Sequence, residues 1–305
     1  MSNPNLVVIC GTTASGKTRL GVEVASTLSG EIISVDSRQV YRGMDLGTGK
    51  DLDEYNTAQG RVPHHLIDIV EPSEIYTLYH YQRDFYRVFA EIEGRGRMPV
   101  AVGGTGLYLE AVLKYYDIPN VEENVQLRNE LMLCDKEDLV VRLAALDAAR
   151  CEKTDLSSKK RIVRSLEVAM SPVPQQEPRR LPTINPLVLL IQWERSTLRA
   201  RIRSRLEARL EAGMIDEVKR LIRDGLSRER LELFGLEYRA VSRHLFDKIP
   251  YGAMVDELAC DIGRFAKRQE TWFRGMERRG IPTRTVAEGS FREAEEILAS
   301  SGLNW

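Results

Sequence analysis

Gly11-Thr12-Thr13-Ala14-Ser15-Gly16-Lys17-Thr18, preceded by the apolar run Leu6-Val7-Val8-Ile9 and followed by a helix-like stretch over 18–28, decides the fold class. The eight residues fit G-x-x-x-x-G-K-[ST], and strand, loop and helix come in the order that makes this pattern a phosphate-binding loop. The reason is local geometry. Successive backbone N–H groups turn into one concavity, and a helix N-terminus adds the positive end of its dipole. Lys17 brings a point charge to the terminal phosphates, and the Thr18 hydroxyl is placed to ligate Mg²⁺. All eight residues are therefore candidate polyphosphate-binding groups. The pattern does not say whose polyphosphate.

Outward from the loop, short apolar strands alternate with helical stretches. Residues 31–35 and 99–102 predict a second and a third strand, the latter ending in Gly103-Gly104. Between them, Phe85, Val88, Phe89 and Ile92 recur at helical spacing within 79–93, and 107–114 predicts a further helix. The alternation predicts an α/β fold, a P-loop NTPase-like parallel sheet flanked by helices, with ligands at the strand C-terminal ends. From about 115 to 183 strand signals vanish and apolar residues keep helical spacing (Leu139, Leu143, Leu146; Ile162, Leu166, Ala169). This segment reads as an all-helical insertion domain ending in a Pro-rich polar linker at 171–180. A buried strand at 187–191 returns the chain to the sheet. The catalytic core is thus 1–114 with 184–305, and the insertion 115–183. The remainder reads as helical, over 196–212, 214–224, 251–275 and 291–300.

The chain has 305 residues, 43% of them hydrophobic and 29% charged, the mark of a globular protein. No apolar run approaches a membrane span, and no signal-peptide pattern opens the chain. Cys10, Cys134, Cys151 and Cys260 are scattered without a C-x-x-C pair, which speaks against zinc or a disulfide framework and for a reducing cytoplasm. Net charge is −1, yet residues 159–209 carry 12 Lys+Arg against 4 Asp+Glu. That asymmetry can make a basic face on a near-neutral protein, or merely a set of solvated helix faces.

Two further clusters carry chemistry. Asp36 stands just past the second strand, close to where Lys17 belongs. A carboxylate there can hold Mg²⁺, accept a proton from a nucleophile attacking near the phosphates, or cap a turn. The third strand runs into Gly103-Gly104-Thr105-Gly106-Leu107-Tyr108. In a typical ATPase it would end in an acidic residue serving Mg²⁺ and water. Here the glycines allow close backbone approach to a ligand, and Thr105 supplies a hydroxyl. His64-His65 does not read as a metal pair, because adjacent side chains in an extended segment point oppositely.

Taken in order, GTTASGKT, EIISVDSRQVYRGMDLGT, VPHHLIDI, PVAVGGTGLYL, RIVRSLEV and AKRQETWFR resemble the tRNA dimethylallyltransferase family from about Leu6 to Arg274. The resemblance implies transfer of a dimethylallyl group from dimethylallyl diphosphate to N6 of adenosine 37, beside the anticodon of tRNAs reading codons that begin with U. It implies a cytoplasmic enzyme, monomeric, that binds a tRNA anticodon stem-loop and uses Mg²⁺. The loop would grip the diphosphate. Lys17, Thr18 and Mg²⁺ would stabilise it as it leaves, and Asp36 would take the N6 proton. Thr105, by similarity, lies near the reacting groups. Ser37, Arg38 and Gln39 resemble contacts to bases around the target. Arg128, Lys160, Arg161, Arg164, Lys267 and Arg268 resemble tRNA-contacting positions, with Arg264 on the same helix face. One or more of Arg201, Arg205 and Arg209, which share a line of the 196–212 helix beside the apolar stripe Leu198, Ile202, Leu206, Leu210, would reach the phosphates. Phe265, Trp272 and Phe273 read as core.

The chain departs from the family's usual pattern at Thr12, at 155–158 and at 234–237. Three competing readings are a small-molecule kinase using the same loop, a prenyltransferase acting on free adenosine nucleotides, and an RNA-binding protein that has lost catalysis, which would predict damage in the loop or at Asp36 where none is visible. The Gly-Gly-Thr-Gly ending argues against the kinase. The length of the insertion and its basic segment argue for tRNA.

Overall fold

A computed structural model describes residues 3–171 and 181–303, so the linker expected at 171–180 lies almost wholly outside the described residues. In chain order the elements begin with β1 (Leu6–Gly11), α1 (Lys17–Thr27), β2 (Glu31–Val35), a 3-10 turn (Leu52–Tyr55), the small hairpin β3 (Asn56–Thr57) and β4 (Gly60–Arg61), and β5 (His64–His65). Next are α2 (Leu78–Gly94), β6 (Pro99–Gly103) and α3 (Gly106–Leu113). Then come α4 (Val125–Leu133), α5 (Lys136–Leu146), α6 (Ala148–Lys153) and α7 (Lys159–Met170). The chain continues through β7 (Pro186–Gln192), α8 (Arg195–Glu211), α9 (Met214–Arg223), α10 (Arg228–Glu232), α11 (Leu236–Phe246), α12 (Tyr251–Arg278), β8 (Arg284–Ala287) and α13 (Phe291–Ser300). It divides into two compact units, 1–116 with 182–305, and 117–181.

In the larger unit six strands form one sheet in the order β5-β2-β6-β1-β7-β8, all pairs parallel. β1 is buried along its whole length. Leu6, Val8 and Cys10 enter one core layer, with Phe85 and Phe89 of α2; Val7 and Ile9 enter the other, with Leu20 and Val24 of α1. A strand covered on both faces has no polar side to show, which is why the central strands read as unbroken apolar runs. Helix α2 starts at a capping box, the Thr77 hydroxyl accepting from the His80 N–H while the His80 side chain accepts from the Thr77 N–H. A third apolar cluster joins α8, α9, α11 and α12 around Ile202, Leu206, Met214, Val218, Tyr238 and Leu258.

The tail departs from the all-helical expectation: β8 closes the sheet edge beside β7, and only Val286 of its four residues is buried. The smaller unit is all-helical, with α4–α7 packed around Leu131, Leu139, Leu143, Ile162 and Leu166. Leu146, expected on the same apolar stripe, is exposed. All four cysteines are free thiols.

Candidate active site

Gly103 is in register with both Cys10 and Val35, so β1, β2 and β6 end side by side. The segments leaving these strands converge for that reason: the phosphate loop after β1, Asp36 after β2, and Gly104-Thr105 after β6. A Cβ on Gly103 would run into the Val35 backbone carbonyl, and glycine is what allows this approach. The Thr105 N–H donates to the Val35 carbonyl at 3.2 Å, and Thr105 Oγ1 accepts the Ser37 N–H at 3.2 Å.

A cavity of about 920 Å³ opens over these strand ends, within the larger unit. That is the size of a small-molecule site. The phosphate loop forms one wall. Gly16 sits at φ 84°, a left-handed turn that starts α1 at Lys17 and aims the helix N-terminus into the cavity. Three loop carbonyls are held by donors: Thr12 O by Lys17 Nζ at 2.6 Å, Ala14 O by Arg201 Nε at 2.9 Å, and Ser15 O by Trp193 Nε1 at 3.0 Å. The Arg201 guanidinium also lies 4.2 Å from the Trp193 ring centroid.

Asp36 faces Lys17 across this space. Its Oδ1 accepts the N–H groups of Arg38 at 2.8 Å and Gln39 at 3.3 Å, which leaves Oδ2 without a partner among the described residues. Burial pushes the Asp36 carboxyl up, against the lowering effect of those two bonds and of Lys17. Burial and the neighbouring Arg205 bring the Lys17 ammonium down to about 8. Both shifts bring a titration toward working pH, where acid–base groups are useful. The sign is clear for each. Asp36 accepts a proton only above its raised value, and Lys17 is cationic only below about 8. For the free enzyme, kcat/KM should therefore fall on the alkaline side above pH of about 8 and on the acid side as Asp36 protonates. A pH–rate profile checks this, and a flat alkaline limb to pH ~10 would contradict the role of Lys17.

The arginine line of α8 borders the same cavity. Arg205 and Arg209 both pair with Asp51, the latter at 3.4 Å. Arg203, off that line, pairs with Glu207 and Asp256 on the exposed face. The Thr18 hydroxyl lies on the cavity wall and makes no hydrogen bond among the described residues. The described residues hold no group of three His, Cys, Asp or Glu side chains that could bind a metal. A lone hydroxyl at the start of the helix after a phosphate-binding loop fits Mg²⁺, which keeps several waters and binds largely through substrate phosphates. His64 and His65 take separate partners, the Val62 carbonyl at 3.4 Å and Glu31 at 2.7 Å.

Ser37, Arg38 and Gln39 line the cavity with Asp36 and Thr105. Lys267 and Arg268 are exposed on α12. Arg264, on the same helix, pairs with Asp261, and Arg128, Lys160, Arg161 and Arg164 fall in the smaller unit, so the basic stretch 159–209 is divided between the two units. There Arg128 and Arg164 both bind buried Glu167, Arg161 pairs with Asp155, and Lys160 is exposed.

Phe265 is a correction: the residue is 39% exposed and lines the cavity, while Phe273 is core at 1%. Trp272 is half-buried. Three residues escaped sequence reasoning. Asp51 carried no motif. Glu237 sat in a run that departs from the pattern, and burial pushes its carboxyl up in the cavity wall. Gln269, inside AKRQ, passed as part of a basic segment, and its partners Thr13 and Gly104 lie far along the chain.

The IPP transferase family model matches residues 39–276. The chain is 48% identical to tRNA dimethylallyltransferase 2 of Shewanella sediminis, covering 99% of this chain and 100% of that one. It is 51% identical to tRNA dimethylallyltransferase 1 of Geotalea uraniireducens, covering 98% of each. Among solved structures it resembles the full-length tRNA isopentenylpyrophosphate transferase of Bacillus halodurans, with a TM-score of 0.70 at 32% identity over 98% of this chain and 96% of that one. A eukaryotic dimethylallyltransferase acting on tRNA shares the fold, with a TM-score of 0.76 at 22% identity over 98% of this chain and 77% of that one.

Proposed function

This chain belongs to the IPP transferase family, and we propose that it moves a dimethylallyl group from dimethylallyl diphosphate to N6 of adenosine 37 in tRNAs reading codons that begin with U. The observation that carries this reading is the placement of one carboxylate with a free oxygen, Asp36, opposite a cation-lined phosphate loop in a single cavity. The N6 amine attacks C1 of the prenyl group, the C1–O bond breaks with its electrons leaving on the diphosphate, and the N6 proton passes to Asp36 Oδ2. An exocyclic adenine amine is a weak nucleophile, since its lone pair is delocalised into the ring. Positioning and leaving-group stabilisation must supply most of the rate. Lys17 and the loop N–H groups hold the diphosphate, and Thr105 fixes the Ser37 backbone beside Asp36. Thr18 Oγ1 would hold Mg²⁺, which would supply further positive charge to the leaving diphosphate. The enzyme acts as a monomer in the cytoplasm.

The test is transfer from radiolabelled dimethylallyl diphosphate, with Mg²⁺, to unmodified tRNA carrying A36-A37-A38, with AMP and ADP as parallel acceptors. Label in the tRNA that disappears when A37 is changed to G is the expected result. Label in AMP alone, or ATP consumption on a small molecule without prenyl transfer, would overturn it.

The smaller unit contributes tRNA phosphate contacts in this reading. Lys160, exposed in the first turn of α7, is free to make one, whereas Arg128 and Arg164 are bound to Glu167. Lys160→Ala should weaken tRNA binding and reduce the slope of log affinity against log salt by about 0.7–0.9. An unchanged slope would remove Lys160 from the interface.

A further inference from the structure

We propose that Gln269 is a positioning residue that sets the spacing between the phosphate loop and the strand-end loop carrying Thr105. The inference rests on the function proposed above and adds to it a residue outside both loops. Gln269 lies on α12, 8% exposed. Its Oε1 accepts the Thr13 N–H at 2.8 Å, and its Nε2 donates to the Gly104 carbonyl at 2.8 Å. The amide cannot be flipped, because one partner only donates and the other only accepts. Among the described residues it is the one side chain whose hydrogen bonds join these two loops.

The surroundings are built to its reach. A Cβ on Gly104 would fall 2.6 Å from Gln269 Nε2, 3.3 Å from the Gly11 carbonyl and 3.6 Å from Lys17 Cε. Glycine at 104 is therefore what admits the amide, and the same position lies against the Gly11 carbonyl and the end of the Lys17 side chain. One loop carries the leaving group's cation, and the other carries the hydroxyl that holds the Ser37 backbone next to Asp36. Leaving group and proton acceptor are thus held to one spacing by a single amide from a third element. A misplacement of about 1 Å in such a constellation can cost 10²-fold in rate.

The test compares wild type with Gln269→Met, which keeps the side chain's length and removes both bonds, and with Gly104→Ala, which displaces the amide from the other side. Two readouts are needed: steady-state prenyl transfer to unmodified tRNA, and calorimetric titration with inorganic pyrophosphate and Mg²⁺, which requires no transfer. Gln269→Met should lower kcat about 10–100-fold and weaken pyrophosphate binding about 10-fold, with KM for tRNA unchanged. Gly104→Ala should give the same signature, and the double variant should lose less than the product of the two single losses. Wild-type kcat and pyrophosphate affinity in folded Gln269→Met would overturn the inference. So would losses shared evenly among kcat, both KM values and Tm. If wild type transfers no prenyl group yet Gln269→Met binds pyrophosphate about 10-fold more weakly, the proposed reaction fails and the positioning role stands.

Discussion

Asp36→Ala is expected to lower kcat by about 10²–10⁴-fold, the usual cost of losing a general base, with little change in KM for tRNA. The more discriminating variant is Asp36→Asn. Its amide oxygen can still accept the Arg38 and Gln39 N–H groups that Oδ1 accepts now, so the turn after β2 keeps its hydrogen bonds. The amide can no longer take a proton. If Asp36 works as the base, Asp36→Asn should be nearly as slow as Asp36→Ala. If its only task were to cap the turn, Asp36→Asn should run near the wild-type rate. If it held Mg²⁺, excess Mg²⁺ should restore much of the loss. Single-turnover rates at saturating donor and tRNA separate the three outcomes.

Lys17→Met should cost about 10²–10³-fold in kcat/KM for dimethylallyl diphosphate, the scale of removing one preorganised group that stabilises developing charge. The ammonium sits 2.6 Å from the Thr12 carbonyl, inside the loop it serves, and burial already works against its charge. A partly desolvated cation gains most from a highly charged leaving group, so the loss should appear in donor kinetics and in product inhibition by pyrophosphate. Affinity for tRNA should stay the same. Lys17→Arg should not rescue, because the planar guanidinium is a poor replacement for a compact point charge in a tight loop. Near-normal turnover in Lys17→Met would place the leaving-group contact elsewhere, with Arg205 the first alternative at the cavity wall.

How legible the molecule was in its sequence depended on where each element lies. β1, β2, β6 and β7 are buried on both faces, so their apolar runs announced them. β5 is two residues long at a sheet edge, and β8 buries only Val286. Neither has a periodic signal, since an edge strand borrows its definition from the partner it pairs with. The phosphate loop, Asp36 and Thr105 were legible because fixed residue types at fixed spacing carry their chemistry. Asp51 and Gln269 act through partners far along the chain, Arg205 and Arg209 for one, Thr13 and Gly104 for the other. Such pairings exist only after folding. Phe265 misled for a related reason. An aromatic at helical spacing usually faces the core, and nothing local says that the face opposite it will be a cavity.

The glycines that end β6 have one more consequence. A donor with an activated C–O bond is open to attack by water as well as by its acceptor. The strand end that in nucleotide-hydrolysing relatives of this fold orders an attacking water here has no side chain at Gly103, and none at Gly104. In the function proposed above, these two positions would therefore give solvent no side chain from which to attack a bound prenyl donor.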